Sequence, residues 1–371
     1  MEYEIHLNNM SPFKVNFNRL SGISILAISI GLISCSHISE QIQVSDFDES
    51  IHVDYSLIYY IHSDSDYLYH TPDGIQIRDN SKVLETAFDV AESARSGEVF
   101  IYYQRPEKRL LGLFPQNNSR LYIYKKGKLI NEVNFRHTDR KETFLTTEAQ
   151  LIHQYRARNL NDDHQLFFFY FGHEIPLING KGYHHSLPGI DVNTISFAKG
   201  IQNFLVTDQE RFELVVLSTC SNGTPTMALH LSPFTNVMLA SPQNLHLSHI
   251  KSDSLTLLET EYDITTHQLG HSIAEYTFER LEETVHTSIT LALYDLYEVQ
   301  SYIHTLDSLT SVDIESDQNL QLNENVDCAE IYPLDSEYYR QGVESWYRSA
   351  RFGRQSGLVV HSGWGCKPVL E

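Results

Sequence analysis

The chain has 371 residues, of which 41% are hydrophobic and 20% charged, a balance typical of globular proteins and unlike that of disordered, collagenous or coiled-coil chains. Its formal net charge of -21 argues against a nucleic-acid partner, because a phosphate backbone repels an acidic protein that has no basic patch. The length allows two average domains or one larger α/β domain with additions.

The N-terminal segment has the pattern of a secretory signal. An apolar run from Ser21 to Ser34 follows Lys14 and Arg19 and ends at Cys35. The run is shorter than the about 20 residues that a membrane-spanning helix needs. Its end, LISC, resembles the lipobox of bacterial lipoproteins, in which the cysteine carries the lipid. We therefore predict lipidation of Cys35, with an uncleaved membrane anchor as the alternative.

This signal defines the first domain boundaries and the location. Residues 1–34 are predicted to be a lipoprotein signal peptide, and the polar residues 35–53 a flexible tether. The protein is then expected on the bacterial cell envelope, held to the membrane by its lipid and facing the periplasm or the cell exterior.

From Asp54 onward, predicted strands alternate with predicted helices. The strands are expected at 57–61, 99–103, 166–171, 212–217 and 236–240, the helices at 82–95, 146–160 and 195–205, and an antiparallel hairpin at 120–135. Continuous apolar strands are typical of a parallel sheet covered on both faces. The predicted fold class is therefore α/β, with a mostly parallel sheet between helices over residues 54–250.

Residues 251–371 are predicted to be a helical and small C-terminal extension packed on this core. Apolar residues at Val285, Ile289 and Leu293 have helical spacing, and no strand is expected around them. Residues 311–326 are acidic and polar and predict a loop. A short apolar strand is expected at 358–360 in the terminal unit.

The four cysteines divide by position. Cys35 is assigned to the lipid, and Cys328 and Cys366 are predicted to form a disulfide in the oxidising compartment that the signal implies. Cys220 is left over. It is either a reactive thiol or simply a small buried hydrophobic residue at a strand end.

Two residues with chemical potential lie where predicted strands end. His173 follows one apolar run and Cys220 follows another. Ligands of open α/β sheets bind beyond the carboxyl ends of the strands. A helix beginning near Ser221 is expected to favour the thiolate of Cys220, and a histidine nearby can transfer its proton. The pattern predicts a Cys-His dyad.

At these residues the chain resembles the clan CD cysteine peptidases, and within that clan the clostripain-like family. The resemblance rests on the strand ending in Phe171-Gly172-His173 and the later strand ending at Cys220, and it covers about residues 55–250. It implies a caspase-like α/β/α sandwich and a catalytic dyad of His173 and Cys220. It also implies an oxyanion site at Gly172 and the backbone N–H of Cys220. No cofactor is predicted.

Two positions depart from the family pattern. Glu174 stands where the family commonly has glycine, and Ser218 stands where clostripain-like enzymes usually have an aspartate that recognises Arg or Lys. Asp64 or Asp66, in the loop after the first strand, is a candidate replacement for that charge. Asp64, Ser218 and Ser241 are predicted to contact the substrate.

Other histidines are weaker candidates. His267, His271 and Glu275 would align on one helical face, but the HExxH signature of zinc peptidases is absent. No metal site is predicted. The favoured function is a lipid-anchored cysteine endopeptidase acting on a peptide or protein substrate. The alternative is a catalytically inactive, peptidase-like lipoprotein that binds a peptide or glycan. A purely structural lipoprotein would explain neither His173 nor Cys220.

Overall fold

Nine strands form one central sheet. A computed structural model describes residues 52–63, 68–70, 76–106, 109–110, 114–116, 118–137, 143–157, 160–183, 189–245, 250–261, 263–316, 325–332, 334–352, 357 and 359–367. The strands are β1 Val53–His62, β2 Glu98–Gln104, β3 Ser119–Lys125, β4 Lys128–Phe135, β5 Leu160–Phe171, β6 Phe212–Ser218, β7 Thr235–Ala240, β8 Ile289–Asp295 and β9 Val343–Arg348. Their order across the sheet is β9-β8-β7-β6-β5-β1-β2-β3-β4. The five strands from β7 to β2 in this order are parallel, and the two at each edge are added antiparallel.

Helices connect these strands. They are α1 Asp79–Ser93, α2 Thr146–Tyr155, α3 Thr194–Gln202, α4 Pro225–Leu231, α5 Thr266–Thr284 and α6 Gln300–Ser316. Shorter helical turns lie at Asp253–Thr256, Leu257–Thr260, Cys328–Ile331 and Ser336–Arg340. Short strand pairs join Leu68–His70 to Gln76–Arg78, Arg109–Leu110 to Phe114–Pro115, and Val326–Asp327 to Gly365–Cys366. Among the described residues, no helix combines the length and hydropathy needed to cross a membrane.

The sheet is buried on both faces. Tyr59 of β1 lies in the apolar cluster that includes Ala87 of α1. Its neighbour Tyr60 points to the other face, where it stacks on Tyr170, whose ring meets Phe197 of α3. Successive residues of a strand point to opposite faces, so a strand covered on both sides must be apolar throughout. The predicted α/β class, with a mostly parallel sheet between helices, is confirmed.

The predicted hairpin is also confirmed. β3 and β4 pair antiparallel around Lys126 and Gly127, which have φ angles of 50° and 75°. Two successive positive φ angles define the type I′ turn, whose twist matches that of the flanking strands. The helices predicted on either side of the hairpin are also present, as α1 and α2. The second is shorter than predicted, because α2 ends at Tyr155 and Leu160 already belongs to β5.

The prediction of a helix through Val285, Ile289 and Leu293 is wrong. Helix α5 ends at Thr284, and the residues from Ile289 onward form β8, which pairs with both β7 and β9. A short strand buried on both faces has no polar side, so its apolar residues also match a helical spacing. The segment after residue 250 therefore completes the sheet in addition to contributing helices.

Two smaller predictions near the C-terminus are also wrong. Val359 and Val360 form no strand and are 87% and 70% exposed, whereas the strand that returns to the sheet is β9. The predicted loop at 311–326 begins later, because α6 continues to Ser316. The predicted signal peptide, Cys35 and nearly all of the tether lie outside the described residues.

Candidate active site

His173 and Cys220 follow neighbouring strands at the same edge of the sheet. Phe171 at the end of β5 pairs in parallel register with Ser218 at the end of β6. His173 and Cys220 each lie two positions beyond this pair. Adjacent strands are separated by about 4.8 Å, so the two residues leave the sheet side by side. His173 is exposed, and Cys220 is half-buried.

The thiol of Cys220 is held by the backbone of Leu245. Its Sγ donates to the Leu245 carbonyl at 3.1 Å, and the Leu245 N–H donates to Sγ at 3.4 Å. Burial raises the pKa of Cys220, the Leu245 N–H lowers it, and the carboxylate of Glu174 raises it further. The helix expected to begin near Ser221 and to favour the thiolate begins further along the chain. Helix α4 begins only at Pro225, with Thr224 as its cap.

Gly172 lies against the ring of Tyr170, which a side chain at this position would force to move. A Cβ built there would lie 2.8 Å from the ring of Tyr170. The N–H of Gly172 donates to the Ser218 carbonyl at 3.4 Å, which extends the pairing of β5 with β6 by one residue. Of the two donors predicted for the oxyanion, Gly172 thus already has a partner that a substrate would have to replace.

Two of the three predicted substrate-binding residues are buried. Ser218 is fully buried, and its Oγ accepts from the N–H of Ile250 at 3.4 Å. Ser241 is also fully buried, and its Oγ donates to the Gln243 carbonyl at 2.9 Å. Neither hydroxyl is open to a substrate in this structure. Asp64 lies outside the described residues.

Glu174 forms an ion pair with the C-terminal segment. Its Oε1 lies 3.0 Å from Nζ of Lys367, which directly follows Cys366. Cys328 and Cys366 form a disulfide, with their sulfur atoms 2.02 Å apart. Glu174 and Lys367 line one cavity together with residues of the loop that follows Cys220. The C-terminal segment therefore borders the candidate site, which the sequence did not indicate.

Tyrosine hydroxyls support the His173 loop. The hydroxyl of Tyr183 donates to the His173 carbonyl at 3.0 Å and lies 2.7 Å from the hydroxyl of Tyr170. Tyr170 in turn lies 3.4 Å from Nδ1 of His62, whose ring stacks on Tyr183. Sequence reasoning missed Tyr183, because nothing in its local pattern distinguishes it from other tyrosines.

His271, one of the histidines considered for a metal site, has carboxylate partners on two elements. Nδ1 of His271 lies 2.9 Å from Glu344, and its Nε2 lies 3.5 Å from Glu275. Within the described ranges, no group of three or more His, Cys, Asp or Glu side chains is arranged to hold a metal ion.

Comparison with known proteins identifies the fold through solved structures. No family model matches the sequence, and no curated protein matches it. A secreted C11 cysteine protease from Bacteroides thetaiotaomicron, iotapain, gives a TM-score of 0.53 at 13% identity, covering 85% of this chain and 93% of that chain. An inactive zymogen C11 protease from Parabacteroides distasonis gives 0.52 at 11% identity, with 85% and 91% coverage. The fold is that of the C11 cysteine proteases.

A further C11 structure, a secreted protease from Bacteroides thetaiotaomicron bound to an irreversible peptide inhibitor, gives a TM-score of 0.54 at 11% identity, with 86% and 90% coverage. C11 proteases are the clostripain-like family of clan CD, so the predicted resemblance is confirmed at the level of the fold. The matches extend well beyond residue 250, because they cover more than four fifths of this chain.

Proposed function

We propose that this chain is a cysteine endopeptidase, anchored by lipid to the bacterial cell envelope, that cleaves peptide bonds with His173 and Cys220. One observation carries the proposal. The two residues occupy equivalent positions beyond the register pair of Phe171 and Ser218, on adjacent parallel strands of a C11 fold. Nucleophilic catalysis needs a nucleophile beside a proton acceptor, and this placement on neighbouring loops supports those roles for Cys220 and His173.

The proposed reaction follows from these two side chains. His173 accepts the proton of the Cys220 thiol, and the sulfur attacks the carbonyl carbon of the peptide bond. The backbone N–H of Cys220 stabilises the oxyanion that forms, joined by that of Gly172 once it exchanges the Ser218 carbonyl for the oxyanion. The C–N bond breaks as the amine takes the proton from His173, which leaves a thioester. Water then hydrolyses the thioester, releasing the acid and restoring the thiol. Because burial raises the pKa of Cys220, the reaction depends on His173 as the base.

The second candidate is a binding protein that retains the fold without turnover. It is favoured by the hydrogen bond from the Cys220 thiol to the Leu245 carbonyl, which the sulfur can donate only while it is protonated. Glu174 and the buried Ser218 also leave the family's usual recognition of basic residues without support. In this case the cleft would hold a peptide or glycan without cleaving it.

Reactivity and turnover separate the two candidates. The full-length protein in detergent is treated with a peptidyl acyloxymethyl ketone, the labelled cysteine is mapped, and cleavage of a fluorogenic peptide library is followed. We expect labelling at Cys220, and Cys220→Ala and His173→Ala should each lower turnover by about a thousandfold or more. His52→Ala, which lies just before β1 at the amino ends of the parallel strands, should leave turnover unchanged. Labelling without any cleavage would favour the binding protein.

The lipid anchor is tested separately. Cys35→Ser should block processing or move the protein from the detergent phase to the aqueous phase, because the thiol that receives the lipid is lost. Immunoblots of the two phases report the result. Unchanged processing and partitioning would contradict the anchor while leaving the peptidase proposal intact.

A further inference from the structure

A buried amide joins the two loops that carry His173 and Cys220. Asn222 is 3% exposed, and its side chain faces the backbone of Ile175. The N–H of Ile175 donates to Oδ1 at 2.9 Å, and Nδ2 donates to the Ile175 carbonyl at 3.0 Å. Asn222 lies two residues after Cys220, and Ile175 lies two residues after His173. The amide therefore bridges equivalent positions of the two loops.

The geometry of this bridge restricts both distance and orientation. Two antiparallel hydrogen bonds to one residue, like a rung of a β-ladder, hold the loops in one relative position more firmly than a single contact does. The hydroxyl of Thr219 donates to the same Oδ1 at 2.6 Å, which orients the amide with its oxygen toward the Ile175 N–H. All three groups are buried, so water does not replace a lost contact without cost.

The Cys220 loop is also held on its other side. Ser221 has a φ of 56°, a left-handed conformation that is strained for a residue with a Cβ. Its N–H donates to the Gln243 carbonyl at 2.9 Å, and its carbonyl accepts from Nδ2 of Asn325 at 2.9 Å. Three separate segments, those of Gln243, Asn325 and Ile175, thus hold the turn after Cys220. Only the contact between Asn222 and Ile175 reaches the His173 loop.

We propose that Asn222 is a positioning residue that sets the separation of His173 from Cys220 by tying the two loops together. It acts through the backbone of Ile175, to which its amide makes both of its hydrogen bonds across the two loops. The inference rests on the proposed function, since it assigns Asn222 a role in the dyad. Sequence gives no sign of it, because asparagine after a strand is ordinarily read as a turn residue.

The test measures coupling between Asn222 and His173. Cys220 is the only free cysteine among the described residues, so the rate of its alkylation by iodoacetamide, followed by peptide mapping, is measured against pH in the full chain. Asn222→Ala should slow alkylation at pH 7 by about three- to tenfold, in proportion to the thiolate lost when His173 moves away. In a His173→Ala background the same change should have no further effect. Thr219→Val, which removes the orienting hydroxyl but keeps the shape, should give a smaller shift and serves if Asn222→Ala fails to fold.

The matched control is Asn118→Ala. Asn118 is also buried and donates to a backbone carbonyl, that of Arg105, but it lies on the β2–β3 side of the sheet. This variant should lose stability without moving the pH profile. Equal effects of Asn222→Ala with and without His173, or an unchanged profile, would overturn the inference. If the coupling is observed and no peptide is cleaved, the peptidase proposal fails and the positioning role stands.

Discussion

The carboxylate of Glu174 has two neighbours on which it has different effects. It forms an ion pair with Lys367 at 3.0 Å, and it contributes to the raised pKa of Cys220. A negative charge near a thiol opposes formation of the thiolate, whereas a cation bound to that charge weakens the opposition. Lys367 therefore partly shields Cys220 from the residue that departs from the family pattern.

Glu174→Gln should lower the pKa of Cys220, and Lys367→Met should raise it. Because Glu174 is partly exposed, each change should alter the alkylation rate of Cys220 at neutral pH by only about two- to fourfold, as expected for a pair worth about 0.2–1 kcal/mol. The pH dependence of iodoacetamide labelling measures both. Glu261→Gln, an exposed carboxylate elsewhere, is the control. A shift of equal size in that control would assign the effect to net charge.

At the scale of elements, the C-terminal segment is joined to the loop that follows Cys220. Gly365 donates its N–H to the Gly223 carbonyl at 2.9 Å, and a Cβ at Gly365 would lie 2.6 Å from the Pro242 carbonyl oxygen. This segment is joined to the preceding one by the short strand pair of Val326–Asp327 with Gly365–Cys366 and by the disulfide. The contacts to the candidate site therefore depend on a small covalently linked unit.

Replacing both Cys328 and Cys366 with alanine should lower the free energy of unfolding. The bridged residues are 38 positions apart, and closing a loop of this length removes chain entropy from the unfolded state. In the chain-entropy model the loss is about 3–4 kcal/mol. Urea unfolding of the variant, and of the native chain in the presence of reductant, measures it. A midpoint unchanged in both cases would show that the unit is held by its noncovalent contacts alone.

At the scale of the whole molecule, a polar network is buried away from the candidate site. Ser56 on β1 donates to Glu98 at 2.7 Å and lies 2.9 Å from Nε2 of His164. Burial, with the nearby charge of Arg156, lowers the pKa of His164 to about 4. Burial raises the pKa of Glu98, in part offset by Lys125. The two groups have opposite effects on stability as the pH falls.

The histidine should make the protein less stable in acid. Between pH 6.5 and about 4 the unfolded chain binds a proton at His164 that the folded chain does not, so the free energy of unfolding falls as the pH drops through this window. The loss is about 3 kcal/mol, and above pH 6.5 the contribution is constant. Urea unfolding at several pH values should show the native chain losing this amount relative to His164→Gln, in which Glu98 still titrates. Parallel curves would contradict the assignment.

Much of the fold and part of the site could be predicted from local patterns. His173 and Cys220 stand out because each ends a continuous apolar run, which is a property of a few neighbouring residues. Asn222, Tyr183 and Lys367 do not stand out, because their significance lies in contacts between distant positions. Asn222 and Ile175 are 47 residues apart, and Lys367 and Glu174 are 193 apart.

The sequence by itself determined the alternation of strands and helices, the parallel class of the sheet and the strand ends at which chemistry is expected, because periodicity and turn residues act over short distances. Only the tertiary structure decided that β8 is a strand and that Val359 and Val360 are exposed. It also decided that Ser218 and Ser241 are buried and that the C-terminal segment reaches Glu174. Burial and pairing depend on which distant segments are adjacent in the folded chain, and no local pattern contains that information.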